Sequence, residues 1–348
     1  MNSLIQEEVI EDNEMKPKFL TKTLTAAVIA GAMSLTAVAE AATLKISHIR
    51  PQGAIVDTEL KAFAANVEKA TEGDVKVKIF AASALGDYTT VQERISVGAV
   101  DMAVQPAATA ASRQMQITYF PYVAANWKEA KVAYGPGGAI YEAMKELYAK
   151  QDITMLAAYP VYFGGVALNR DAVSPGNPNV DKGIKVRVPG IKSFQLTSDS
   201  LGYISSPIPF SEAFTAVQTG VVDGVIGSGA EGYYASFRDV TKTYVPVNTH
   251  FEAWYMLINS ETLADMDSDD RAALEQAAKE FEAKRWERAE SDQGDYEQKL
   301  ADYGATIVKL SDEELAAAAK KVRAEVWPQI LDDIGAEWGQ SVLDKIAN

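Results

Sequence analysis

The sequence predicts an α/β fold in two lobes, built on mixed, mostly parallel sheets and joined by one long helix. Three observations carry this. From residue 43 to 104 the apolar spacing alternates between period two and period 3.6, in the order strand, helix, strand, helix, strand. Roughly 300 residues follow an N-terminal export signal, more than one hydrophobic core usually organises. Residues 267–300 keep a helical pattern without proline. At 1.5 Å per residue that is roughly 50 Å, longer than one small lobe.

Each element has its own justification. Lys16, Lys18 and Lys22 precede an apolar run over 24–39 that ends in Ala39-Glu40-Ala41, the pattern of a secretory signal. The run is too short and alanine-rich to span a bilayer. Residues 1–14 carry five acids and no base, which does not suit the start of such a signal. Translation is therefore expected to start at Met15, with 1–14 a non-native or mis-called extension and the exported chain beginning near Ala42. Residues 43–49 alternate as a strand, with Leu44, Ile46 and His48 on one face, and Pro51-Gln52-Gly53 forms a loop. Leu60, Phe63, Ala64 and Val67 make an apolar stripe on a helix over 57–70. A strand over 75–80, a helix over 87–97 that Asp87 is placed to cap, and a strand over 100–104 complete this βαβαβ unit.

A helix over 127–150 and strands over 153–158 and 165–169 come next, then a Pro/Asn/Gly loop over 174–182. The remaining α/β pattern is strand 184–188, helix 193–201, strand 204–207, helix 211–219, and strands 221–226, 243–247 and 253–258. In the long helix Leu274, Ala277, Ala278, Phe281 and Trp286 are too irregular for a coiled-coil seam. Two further helices cover 312–327 and the C-terminus. The expected division is extension plus signal over 1–41, a first lobe over 42–163 with part of 256–300, and a second lobe over 164–255. Residues 256–300 supply a strand and the bridging helix, and 301–348 the C-terminal helices.

Composition excludes several chemistries. There is no cysteine, so no disulfide, thiolate nucleophile or cysteine metal site. His48 and His250 are too few and too far apart to suggest zinc or a Ser-His-Asp triad. The formal charge is −15; residues 1–41 hold three lysines and six acids, which leaves −12 on the remainder. That balance argues against nucleic acid and anionic lipid as partners. Beyond residue 41 no stretch is long and uncharged enough to span a bilayer, so the exported product is expected to be soluble. Walker A, GxSxG and EF-hand patterns are absent. The glycines of Gly224-Val225-Ile226-Gly227-Ser228-Gly229 lack a phosphate-loop lysine and are read as allowing a tight turn or a close approach to a ligand.

One residue stands out. Ile184, Val186 and Val188 alternate with Lys185 and Arg187, and Pro189-Gly190 stops the strand at once. An arginine mounted there points from a rigid element into the space beyond, and its planar fork suits a carboxylate. On this octapeptide alone, a surface arginine on an edge strand is the plainer reading. Aromatics gathered nearby, among them Tyr162, Phe163, Phe210, Tyr233 and Trp254, change the balance, although most would be core. An arginine between aromatic walls and two α/β lobes is the composition of a small-ligand cleft.

Three ordered runs carry a resemblance: Lys185-Val186-Arg187-Val188-Pro189-Gly190, Ser206-Pro207-Ile208-Pro209-Phe210-Ser211-Glu212, and Ala216-Val217-Gln218-Thr219-Gly220-Val221-Val222-Asp223-Gly224. With Leu85-Gly86-Asp87, Gly98-Ala99-Val100-Asp101-Met102 and Asn259-Ser260 in the same order, the chain resembles the extracytoplasmic solute receptors of TRAP (tripartite ATP-independent periplasmic) transporters, DctP- and TeaA-like proteins. The resemblance implies a periplasmic binding protein fold that closes over a small solute, and a periplasmic location. It also implies delivery to the transporter's small and large membrane subunits, with no cofactor, metal or catalytic residue. By the same resemblance Arg187 falls on the arginine that pairs with a ligand carboxylate, and Phe210 on a position that packs against the solute. Gln105 and Tyr88 fall on first-lobe contacts; Trp254 and Glu231 on second-lobe segments facing the cleft. Phe163-Gly164 stands where sialic-acid receptors of the family carry a second arginine, and Gly227 where they carry an asparagine. A compact hydroxy, keto or aromatic acid is then favoured over a dicarboxylate or sialic acid. An amine, amino alcohol or betaine held by Glu231 and the rings stays open. So do a secreted two-lobe hydrolase or lyase using His48, His250 or a buried acid, and a structural module that binds no small molecule.

Overall fold

Alternating apolar residues start the first sheet. In the computed structural model, which describes residues 41–347, β1 (Ala42–Ser47) and β2 (Val75–Phe80) pair in parallel. The apolar run over 24–39 and the start expected at Met15 lie outside the described residues. Between these strands α1 (Ile55–Ala70) buries Leu60, Phe63 and Val67 against the sheet. Asp87 caps α2 (Tyr88–Ser96) by accepting from the Thr89 amide, and β3 (Met102–Gln105) adds beside β1 in parallel. A 3-10 helix over Arg113–Tyr119 follows. The single helix expected over 127–150 is two, α3 (Trp127–Tyr134) and α4 (Ala139–Ala149). Gly135-Pro136-Gly137-Gly138 separates them, because proline removes a helical donor and glycine favours leaving the helix.

The chain then runs through β4 (Ile153–Phe163) into β5 (Gly165–Leu168), β6 (Lys185–Val188), α5 (Lys192–Ser200), β7 (Ile204–Pro207), α6 (Phe210–Gln218), β8 (Gly224–Ser228), α7 (Ala230–Phe237) and β9 (Thr243–Val245). It returns through β10 (Phe251–Asn259) to α8 (Ser260–Ala264), α9 (Ser268–Asp302), β11 (Thr306–Ile307), α10 (Asp312–Ile334) and α11 (Ala336–Ala347). The first sheet has the order β2-β1-β3-β10-β4, the second β11-β9-β5-β8-β6-β7. β10 is antiparallel to β3 and β4, and β5 to β8 and β9; the other five pairings are parallel. Every residue of β10 is buried, which only a strand with neighbours on both edges and layers on both faces achieves. Trp254, expected on a second-lobe segment, therefore stands in the first lobe's sheet.

Two strand connections cross between the sheets, β4–β5 and β9–β10. They pair where they cross: the Gly164 amide donates to His250 at 2.8 Å, and the Thr249 amide to Gly164 at 2.9 Å. The third crossing is α9. It packs on α1 and β4 in one lobe and on α7 and β11 in the other.

β4 is an edge strand, and α9 gives its backbone partners without supplying a strand. Glu282 accepts from the Ala158 amide at 2.8 Å, Arg285 donates to the Pro160 carbonyl at 2.8 Å, and Gln293 accepts from the Phe163 amide at 3.0 Å. Eleven helical residues rise about 16.5 Å, and five strand residues span the same distance. Helix and strand thus match in length from the first of these contacts to the last. Covering an edge in this way removes a template for unwanted pairing. It also explains why Glu282, Arg285 and Asp292 are buried in a helix whose apolar spacing is irregular.

Candidate functional site

Strands β1, β3, β6 and β8 point their carboxyl ends into one space between the lobes, where open α/β sheets hold ligands. The walls close on one another there and leave a cavity of only about 20 Å³, far below the roughly 300–1,000 Å³ common for small-molecule sites. Its walls are mostly aromatic and aliphatic, with two guanidinium groups and a carboxylate among them.

Arg187 reaches it from β6, held between Ser206 of β7 and Val225 of β8. Only 1% of the residue is exposed. Its Nε donates to the Ile208 carbonyl at 2.8 Å, and among the described residues no carboxylate pairs with it. Burial lowers its pKa from the ordinary arginine value, while Tyr88, Tyr233 and Asp87 pull it back. A buried cation without a counter-charge is costly until an anion arrives. Gly227 keeps the space beside it open: its φ is +106°, and a Cβ there would meet Pro189 at 2.7 Å and Arg187 Nη1 at 3.6 Å.

Arg50 enters from the opposite lobe, just after β1, and is fully buried. Its guanidinium lies 4.8 Å from the Trp254 ring and 5.4 Å from the Phe210 ring, while Arg187 lies 5.8 Å from that same Phe210. Glu231 of α7 meets it from the second lobe, with Nε donating to Oε2 at 3.0 Å. Nη2 sits 2.9 Å from Oε2 but off the hydrogen-bond direction, and Nη1 has no hydrogen-bond partner among the described residues. Burial opposes the charge on Arg50, but Glu231 and Tyr162 together more than offset this and raise its pKa above the ordinary value. The approach depends on Gly232, where a Cβ would stand 2.3 Å from Nη2.

The wall carboxylate is Glu252, on β10. Trp254 Nε1 donates to one of its oxygens at 2.9 Å, and His250 Nε2 lies 2.9 Å from the other. The imidazole's Nδ1 is 2.9 Å from Thr249 Oγ1, so both nitrogens are engaged. His48 is likewise committed, 3.3 Å from buried Asp57, and burial lowers its pKa. Asp57 also accepts from the Gly53 amide and from Lys61, each at 2.7 Å, which fixes the loop carrying Arg50. Tyr88 keeps its proton: burial pushes its hydroxyl up to about 12 although Arg187 pulls the other way.

Of the residues expected at the site, Arg187, Phe210, Tyr88 and Trp254 line the cavity. Gln105, Phe163 and Glu231 do not. Gln105 turns its amide to the Tyr88 carbonyl at 2.8 Å, while Pro106 faces the cavity. Phe163 packs on Trp127 and Phe251, and its neighbour Tyr162 faces inward instead. Glu231 stands behind Arg50. Arg50 and Glu252 line the site without having been expected there.

The profile of bacterial extracellular solute-binding protein family 7 (DctP) matches residues 46–332. The chain belongs to this family. A solute-binding protein of Roseobacter denitrificans is 27% identical over 301 residues, 84% of this chain and 89% of the relative. The C4-dicarboxylate-binding periplasmic protein DctP of Rhodobacter capsulatus is 26% identical over 310 residues, 88% and 91% of the two chains. Among solved structures, the sugar acid binding protein DctPAm of Advenella mimigardefordensis, in complex with galactonate, superposes with a TM-score of 0.82 at 20% identity. It covers 88% of this chain and 98% of its own. A Bordetella pertussis extracytoplasmic solute receptor binding pyroglutamic acid gives 0.79 at 19%, covering 88% and 100%. The fold is the two-lobed architecture of these receptors, and the family is one of solute-binding receptors.

Proposed function

We propose that this receptor binds a compact organic acid in the cavity between its lobes and delivers it to the membrane subunits of a TRAP transporter from the periplasm. The observation that carries the reading is Arg187: buried, rigidly mounted on a central strand and lacking a carboxylate partner among the described residues. A solute carboxylate would supply the missing counter-charge, in a site where aromatic walls exclude water and strengthen the pairing. Phe210, Trp254 and Tyr88 are the further contacts, and Tyr88 brings a hydroxyl that stays protonated. The small cavity and the single uncommitted guanidinium favour a hydroxy, oxo or lactam acid over a large sugar acid. Amines are disfavoured, because Glu231, the carboxylate proposed to hold one, is already on Arg50. A solute that touches both lobes stabilises the closed form by its differential affinity for it.

The test is calorimetry on ligand-free protein with lactate, pyruvate and L-pyroglutamate, wild type against Arg187→Ala. Truncating one side of a buried charge pair costs about 2–5 kcal/mol. An affinity loss of that size is expected for whichever acid binds, with the fold intact by circular dichroism. Unchanged affinity in Arg187→Ala would sink the assignment.

A further inference from the structure

We propose that Glu231 sets the number of carboxylates this receptor accepts at one, by occupying the second guanidinium of the cavity. The proposal rests on the reading of Arg187 above. Arg50 lines the same cavity as Arg187, and both guanidinium groups lie against the same Phe210 ring, 5.4 and 5.8 Å from its centroid. Two guanidinium groups so placed would make a natural diacid site, one for each end of a short dicarboxylate. Here only Arg187 is uncommitted. Glu231 is 4% exposed, does not line the cavity, and holds Arg50 through Nε at 3.0 and 3.3 Å. Gly232 is what lets it do so, since a Cβ would collide with Arg50 Nη2.

The charge balance gives the consequence. Arg50 is matched by Glu231, Glu252 is held by Trp254 and His250, and Arg187 has no carboxylate partner among the described residues. A monoanion has one uncompensated cation to meet. A dianion would bring its second charge to a guanidinium already neutralised and toward a fixed acid. Arg50 still has Nη1 without a hydrogen-bond partner among the described residues, suited to an uncharged oxygen of the solute, and Glu252 is suited to a hydroxyl or N–H. The solute class is therefore a monocarboxylate with at least one neutral polar group.

Matched acids test this: malonate, succinate and glutarate against malonamate, succinamate and glutaramate, in which one carboxylate becomes a carboxamide. Titration calorimetry at pH 7.5 on ligand-free wild type should favour a monoamide at least tenfold over its diacid. Glu231→Gln should shift that ratio at least tenfold toward the diacid, and the Arg50→Gln, Glu231→Gln double variant should not. If Glu231→Gln is unfolded alone, the diacids must restore its thermal transition where the monoamides do not. No diacid gain or restoration at any length overturns the proposal, as does binding of none of the six compounds by any variant. Loss of the Arg187 dependence, by contrast, would sink the underlying reading and leave the role of Glu231 to be judged from the ratio alone.

Discussion

Glu282 offers a measurable link between protonation and the seam that ties α9 to β4. Its carboxylate is 5% exposed, and burial pushes its pKa up to about 7 although the Ala158 amide donates to it. An unfolded glutamate titrates near 4.5. Between those two values the folded protein binds the proton more tightly, so this group's contribution to stability is full below about pH 4.5 and is lost as pH rises through 7. A separation of about 2.5 pH units at 1.36 kcal/mol each amounts to about 3 kcal/mol. Glu282→Gln keeps an oxygen to accept from Ala158 and removes the titration. Urea unfolding of both proteins at pH 5, 6, 7 and 8 should show the variant gaining on wild type with rising pH, by about 2–3 kcal/mol in all. Curves that stay parallel within roughly 0.5 kcal/mol would refute a buried, proton-binding Glu282.

Three other substitutions follow from the site. Gly232→Ala places a methyl group on Arg50 Nη2 and should separate Arg50 from Glu231; breaking a buried pair costs about 3–5 kcal/mol, read in urea unfolding. Trp254→Phe removes the Nε1 donor to Glu252 and leaves a buried carboxylate oxygen short of a partner, a loss of about 1–3 kcal/mol by the same measurement. Phe210→Ala strips the ring shared by both guanidinium groups and should weaken binding of the acid found by calorimetry by roughly 1–2 kcal/mol or more, with native circular dichroism.

Much of the fold was legible, because β1, β2, α1 and α2 carry unmixed periodicities and Asp87 announces its cap. Arg187 was legible for the same reason, a strand cut short by Pro-Gly. Ile49-Arg50-Pro51-Gln52-Gly53 carries the same signature at the end of β1, so Arg50 could have been found by the rule that found Arg187. Glu252 and Trp254 lie two apart on one face of a strand that His250 immediately precedes, and an acid inside Phe251–Asn259 demands partners. Gln105 and Phe163 illustrate the limit. Each is one residue from a cavity neighbour, Pro106 or Tyr162, and in extended chain one residue reverses the face. The helix Ala230–Phe237 was passed over although Ala230, Tyr233, Tyr234 and Phe237 stand at helical spacing, because Gly227, Gly229 and Gly232 around them read as a loop.

The seam between α9 and β4 limits how the two halves of the receptor can travel. Three side chains grip three backbone groups over about 16.5 Å. Sliding the helix along the strand by a single position would break every one of these grips together and leave buried donors and acceptors bare. Translation along that axis would cost all three contacts at once, which ties this half of the rod to its sheet.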